Sequence, residues 1–210
     1  RKDSLPHEIV TAITRDSLGR LWVNTLERLA ILEETTGSFR PYGEELPHPS
    51  VRALQEGPDR SLWVGTYGGL LRIFPDGRSR VYRKGKAQQG TAILPADSVM
   101  VIQFDKDGTL WLGNWGGGLL RFDYIHESVE VFPFPNNQIY VLEVSDPEKI
   151  YAGSWGGGLY VFDKATHTYQ TYLPDPGNKY SLSHPVVYSL YRDSSGLLWV
   201  GTNGGGLNKT

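Results

Sequence analysis

The chain has 210 residues, 39% of them hydrophobic, with 25 glycines and 13 prolines, which describes an ordered protein with a substantial core and many turns rather than a disordered one. A formal net charge of −2 gives no basic footprint for nucleic acid or anionic membrane, and the absence of cysteine excludes disulfide scaffolds, thiol nucleophiles and cysteine metal sites. No apolar run approaches the roughly 18 residues that span a bilayer, so this segment is not expected to insert in a membrane.

Taken in order, the chain repeats itself. The first repeat, 7–43, opens at Val10 and Ile13, turns at Asp16-Ser17-Leu18-Gly19 and continues through Leu21-Trp22-Val23-Asn24-Thr25. The second, 48–84, repeats this with Val51, Leu54, Trp63, Gly65 and Thr66, and the third, 96–133, with Val99, Ile102, Trp111, Gly113 and Asn114. The fourth, 136–173, is degenerate: Asp146-Pro147-Glu148-Lys149 replaces the turn, and Tyr151 replaces the tryptophan. The fifth, 184–210, carries Val187, Leu190, Trp199, Gly201 and Thr202 and stops before a fourth strand.

With Trp22, Trp63, Trp111, Tyr151 and Trp199 as structural anchors, the intervals are 41, 48, 40 and 48 residues. That is the span of one four-stranded propeller blade. Each repeat reads as strand, tight turn, strand, glycine turn and two further strands, and no segment sustains a helical period. The expected fold is all-β: a β-propeller of four-stranded antiparallel blades, about five repeats with the last incomplete, as a single domain or a fragment over 1–210. The opening "RKDSLPHEIV" lacks both Met and a signal-peptide core, as expected of a mature segment or a piece of something longer.

These residues resemble the two-component regulator propeller family, whose repeat is similar to "SL…V..I..D..G.LWVGT.GGGL". The last repeat, "YSLSHPVVYSLYRDSSGLLWVGTNGGGLNK", matches throughout, and some form of the pattern covers nearly the whole chain. The resemblance implies a non-enzymatic sensor module in the periplasmic or extracytoplasmic part of an inner-membrane signalling protein, commonly a histidine kinase or a diguanylate cyclase. By family analogy an oligosaccharide or another small molecule is the expected ligand, and no cofactor is expected; the open edge strand of the incomplete fifth repeat, or a propeller face, would favour a homodimer.

Chemistry is sparse. No metalloprotease helix, phosphate loop or nucleophile elbow is present. The paired acids Glu33-Glu34 and Glu44-Glu45 and the basic loop 83–86 read as solvated surface. Asp105 and Asp107 before Gly108 lack the further ligands of a calcium loop, so hydrogen bonds to turn amides account for them and no metal is expected. His7, His48 and His184 share one repeat slot with Ala96 and Asn136. Two readings stand for that slot: a ring of ligand-binding groups, or side chains that satisfy backbone groups between blades. A lyase reading would use His48 or His184 as base, although no acid or metal accompanies them.

Two tryptophans are not anchors. Trp115 and Trp155 precede glycine triplets, in a slot that holds Leu26, Tyr67 and Asn203 in the other repeats. In a propeller this turn shares a face with the connections between blades, two of which, 84–98 and 173–185, are long. Tyr67, Trp115, Trp155 and Asn203, with His48 and His184, are therefore the candidate ligand contacts. The rival readings are packing over the glycine turn and burial against a protein partner.

Overall fold

In a computed structural model that describes residues 5–42, 46–85 and 93–209, every regular element is a strand. β1 (Val10–Arg15), β2 (Leu21–Thr25), β3 (Leu29–Glu33) and β4 (Ser38–Pro41) form the first sheet. The second has β5 (Val51–Glu56), β6 (Leu62–Thr66), β7 (Gly69–Ile73) and β8 (Ser79–Tyr82). The third has β9 (Val99–Phe104), β10 (Leu110–Asn114), β11 (Gly118–Asp123) and β12 (Ser128–Phe132). The fourth has β13 (Ile139–Glu143), β14 (Lys149–Ser154), β15 (Leu159–Asp163) and β16 (Tyr169–Tyr172), and the fifth only β17 (Val187–Arg192), β18 (Leu198–Thr202) and β19 (Gly206–Lys209). Strand order follows chain order in each sheet, the antiparallel meander of a propeller blade.

The repeated "D..G.LW" has a physical content. Asp16, Asp105 and Asp193 each use Oδ1 to accept amides of their own turn. Oδ2 then accepts the indole N–H six residues on: Trp22 at 2.8 Å, Trp111 at 3.1 Å and Trp199 at 2.8 Å. One carboxylate thus closes the hairpin and satisfies the polar atom of a large ring that is to be buried. In the second sheet Gly57 stands in place of the aspartate; there the Arg72 guanidinium pairs with Asp59 and lies 4.9 Å over Trp63. In the degenerate fourth repeat Asp146 still caps the turn amides of Glu148 and Lys149, and the Arg192 guanidinium lies 4.8 Å over Tyr151.

In the first three sheets an aromatic ring on or just past the outer strand covers the anchor. Tyr42 lies 5.9 Å from Trp22, Tyr82 6.1 Å from Trp63 and Phe132 6.0 Å from Trp111, and those three anchors are at most 3% exposed. In the three-stranded fifth sheet the Lys209 amine lies 5.9 Å over Trp199, which is only half-buried.

The chain divides within β9, after Ile102, into two compact units. The first builds its core from Trp22, Leu29, Val51, Leu62, Val64 and Leu71. The second includes a cluster of Leu159, Leu182, Val187, Leu198 and Val200. Close approach of successive sheets explains the glycine two residues past the anchor: a Cβ on Gly153 would stand 2.5 Å from Val187 Cγ1 and 2.6 Å from Val141 Cγ1. Charged ties add to this packing, Ser17 to Glu56 (2.7 Å) in the first unit and Lys164 to Asp105 (3.3 Å) in the second.

Glu33 and Glu34 make exposed ion pairs with Arg40 and Arg15. Glu44, Glu45, Lys86 of the basic loop and much of the 84–98 connection lie outside the described residues. No described helix is long and apolar enough to cross a membrane.

One irregularity recurs. The register slips by one residue between Val10 and Ala12, Val51 and Ala53, Ile139 and Val141, and Val187 and Ser189. The residues left over are Thr11, Arg52, Tyr140 and Tyr188, each the second of its sheet's first strand. A bulge of this kind bends the strand and re-aims one side chain.

Candidate functional site

A hydroxyl holds the turn between the second and third strands in the second, fourth and fifth sheets, while Asn114 stands in that slot of the third. Thr66 Oγ1 donates to the Gly69 carbonyl (2.8 Å), Ser154 Oγ to Gly158 (3.0 Å) and Thr202 Oγ1 to Gly206 (3.0 Å). The turns after β6, β10 and β14 are also tied to the chain entering the next sheet. Ser98 Oγ donates to the Tyr67 carbonyl at 3.3 Å. Gly116 N–H donates to Asn137 O and Gly158 N–H to Pro185 O, both at 2.8 Å. With the chain entering their own sheets, Trp155 N–H donates to Gln138 O and Asn203 N–H to Val186 O, both at 3.0 Å. The backbones of Trp155 and Asn203 are therefore fixed, and their side chains start from defined positions.

In the second unit these turns gather aromatic rings. Trp115 and Trp155 stand 5.8 Å apart, tilted by 53°. Tyr140 lies 5.6 Å from Trp155 and Tyr188 5.4 Å from it, the latter edge-on at 73°, while Tyr140 and Tyr188 meet at 5.2 Å. Four rings from three successive sheets thus form one contiguous cluster of tilted and edge-to-face pairs, the latter a geometry that aromatic quadrupoles favour. Trp115, Tyr140 and Trp155 are partly buried and Tyr188 is 40% exposed. The nearby chain contributes amides: Asn136 Nδ2 donates to the Trp155 carbonyl at 3.0 Å, and Gln138 and Asn203 carry uncommitted side-chain amides among the described residues. None of these side chains carries a formal charge.

Tyr140 and Tyr188 escape a reading of the sequence alone, yet both are bulge residues, and the bulge aims both at Trp155. The available signal is positional: each follows directly on the β-branched residue that opens its repeat, the slot of Thr11, Arg52 and Met100. Nothing in that spacing announces the bulge.

In the first unit Tyr67 is 41% exposed, 5.9 Å edge-on from His48, with the Arg52 guanidinium 5.9 Å over its ring. The histidine slot has one consistent geometry. Nδ1 of His7, His48 and His184 accepts the amide two residues on, at 3.0, 3.0 and 3.2 Å, as Asn136 Oδ1 does at 2.9 Å. A neutral imidazole that accepts at Nδ1 carries its proton on Nε2. In that tautomer Nε2 has no lone pair for a substrate proton or a metal ion. Asn203 is exposed, with no ring contact. Among the described residues no three His, Asp or Glu converge as a metal site.

Depressed acids sit at hairpin turns, Asp16, Asp59 and Asp193 at those between first and second strands and Asp76, Asp123 and Asp163 at those between third and fourth. Ser195 Oγ and the Trp199 indole, followed by the amides of Leu197 and Ser195, hold Asp193 down to about 2 from an ordinary 3.8. Burial would raise Asp16, but the hydrogen bonds from Trp22 and Arg20 outweigh it and lower its pKa. A depressed folded-state pKa stabilises above the unfolded value and is lost as pH falls through the folded one. The contribution of Asp193 should therefore fade from about pH 4 to about pH 2. Acid titration of tryptophan fluorescence checks this, with Asp193→Asn expected to show a shallower loss over that window.

A cavity of about 600 Å³ lies elsewhere in the second unit, lined by Lys149, Tyr151, Tyr172, Lys179 and Lys209 among others. It adjoins β19, which pairs only with β18, and none of the candidate contacts lines it.

The family model of the two component regulator propeller matches residues 4–27, 45–68, 93–116 and 181–204. No curated protein matches the chain. Among solved structures it is similar to the extracellular domain of a putative one component system from B. thetaiotaomicron, with 18% identity over 95% of this chain and 35% of that one, at a TM-score of 0.66. It is also similar to the extracellular domain of a putative hybrid two component system from the same organism, with 21% identity, 99% and 35% coverage and a TM-score of 0.65. A streptogramin B lyase shares the fold at 16% identity, 98% and 69% coverage and a TM-score of 0.69. The chain spans 35% of the length of the two extracellular domains. Each matched segment runs through the first two strands of a sheet to the turn that follows, and the unmatched β13–β16 sheet repeats the same order and bulge. Four of the five sheets thus carry the two component regulator propeller repeat.

Proposed function

We propose that this chain is a non-catalytic, ligand-sensing segment of an extracytoplasmic propeller in a membrane-bound signalling protein, and that it takes an oligosaccharide on the Trp115–Trp155 cluster. The observation that carries the reading is the cluster itself: four rings without formal charge, flanked by side-chain amides, on the face where successive sheets are joined. Apolar faces of sugar rings stack on such surfaces, and amides meet their hydroxyls. The extracellular domains among the similar structures support the placement outside the cytoplasm. Against the lyase reading stands the Nδ1 geometry of His48 and His184, which leaves neither imidazole poised as a base.

The test is a titration with neutral hexasaccharides (cello-, malto-, manno- and xylohexaose) followed by indole fluorescence. A saturable change with at least one of them is expected. Flat traces with all four, together with a dimer that Trp115→Ala dissociates, would replace the sugar by a protein partner.

A further inference from the structure

Resting on that reading, we infer that the rings divide the work: Trp155 is a positioning residue, and Trp115 and Tyr188 are the ligand contacts, so a bound chain bridges three successive sheets. Trp155 has three ring neighbours, at 5.4, 5.6 and 5.8 Å. Its indole is engaged by the protein. Trp115 meets one ring of the cluster, that of Trp155, and so keeps surface that no ring covers. Tyr188 meets Trp155 and Tyr140 edge-on, at 73° and 81°, and remains 40% exposed.

Backbone geometry supports the same division. Tyr140 and Tyr188 are the extra residues of two bulges, and both bulges turn their rings to Trp155. Two strand irregularities thus converge on one indole, an arrangement suited to holding that indole still. The rings left at the margins belong to different sheets: Trp115 follows β10 and Tyr188 lies in β17. A ligand in contact with both crosses the intervening fourth sheet, and its binding energy is spent partly on holding the three sheets in one arrangement. That is a physical route from occupancy to a change in the rest of a signalling protein.

Hydroxyl-radical footprinting read by mass spectrometry separates the roles without requiring a ligand. In the free protein Trp115 and Tyr188 should oxidise several-fold faster, relative to their free amino acids, than Trp155. Faster oxidation of Trp155 overturns the inference whether or not any sugar binds. With the hexasaccharide that gives a fluorescence change, Trp115 and Tyr188 should be protected and Trp155 unchanged; protection centred on Trp155 also overturns it. Trp115→Ala and Tyr188→Ala should each weaken that hexasaccharide about tenfold or more with unchanged melting. Trp155→Phe, which keeps a ring for its neighbours, should retain most of the affinity. If no hexasaccharide binds, the sugar reading falls, and the ranking of oxidation rates still decides the roles of the rings.

Discussion

Trp111→Ala is expected to destabilise the protein by about 3–5 kcal/mol, the range for deleting a buried aromatic ring. Its indole is 3% exposed, lies 6.0 Å from Phe132 and 6.2 Å from Phe162, and donates to Asp105 at 3.1 Å. Removing it opens a cavity under the outer strand and takes one donor from a carboxylate whose side chain is 6% exposed. Trp111→Phe keeps a ring but not the N–H, at a cost of about 1–3 kcal/mol for the lost partner. Trp199→Ala is the internal comparison. The same slot and the same aspartate contact occur there, but the ring is half-buried, with the Lys209 amine over it, so about 1–3 kcal/mol is expected. Urea midpoints at constant slope check the ordering, and equal losses at both sites would show that burial by the outer strand is not what sets the anchor's contribution.

A second large effect is expected at Gly158. Its φ is +77°, and a Cβ would run into the Tyr172 carbonyl oxygen and come within 3.0 Å of Leu173 Cδ2. Left-handed backbone and steric overlap add, so Gly158→Ala should cost about 2–4 kcal/mol. Gly206 occupies the same slot in the fifth sheet with φ +78° and nothing within 4 Å of a Cβ, and Gly206→Ala should cost only the backbone term of about 1–2 kcal/mol. The difference measures chiefly the outer strand's crowding. Because the Gly158 amide also binds Pro185 O, the alanine variant should displace Trp155 and weaken sugar binding in parallel.

The repeat made the fold legible. Strand, "D..G" turn and anchor recur at fixed offsets, and each offset has a local cause: the aspartate reaches the indole six residues on, and Gly153 makes room for Val187. Even the degenerate fourth repeat keeps its sheet, because Asp146 still caps its turn and Tyr151 still fills the anchor slot. The site was legible only in part. Spacing alone places Trp115 and Trp155 on neighbouring turns, and in the structure they meet. Tyr140 and Tyr188 were not legible, because strict strand alternation assigns each residue a face and a bulge breaks that alternation. Nor does spacing reveal that Nδ1 of His48 and His184 is committed to a backbone amide, which depends on a rotamer rather than on sequence distance.

The most direct test of the central claim, that the aromatic cluster holds ligand, is calorimetric titration of the parent and Trp115→Ala with the same four neutral hexasaccharides, alongside their melting curves. A saturable heat is expected in the parent, lost in Trp115→Ala at unchanged melting temperature. A Trp115→Ala protein that binds as tightly as the parent would contradict that claim and move the search to the lysine-lined cavity beside β19.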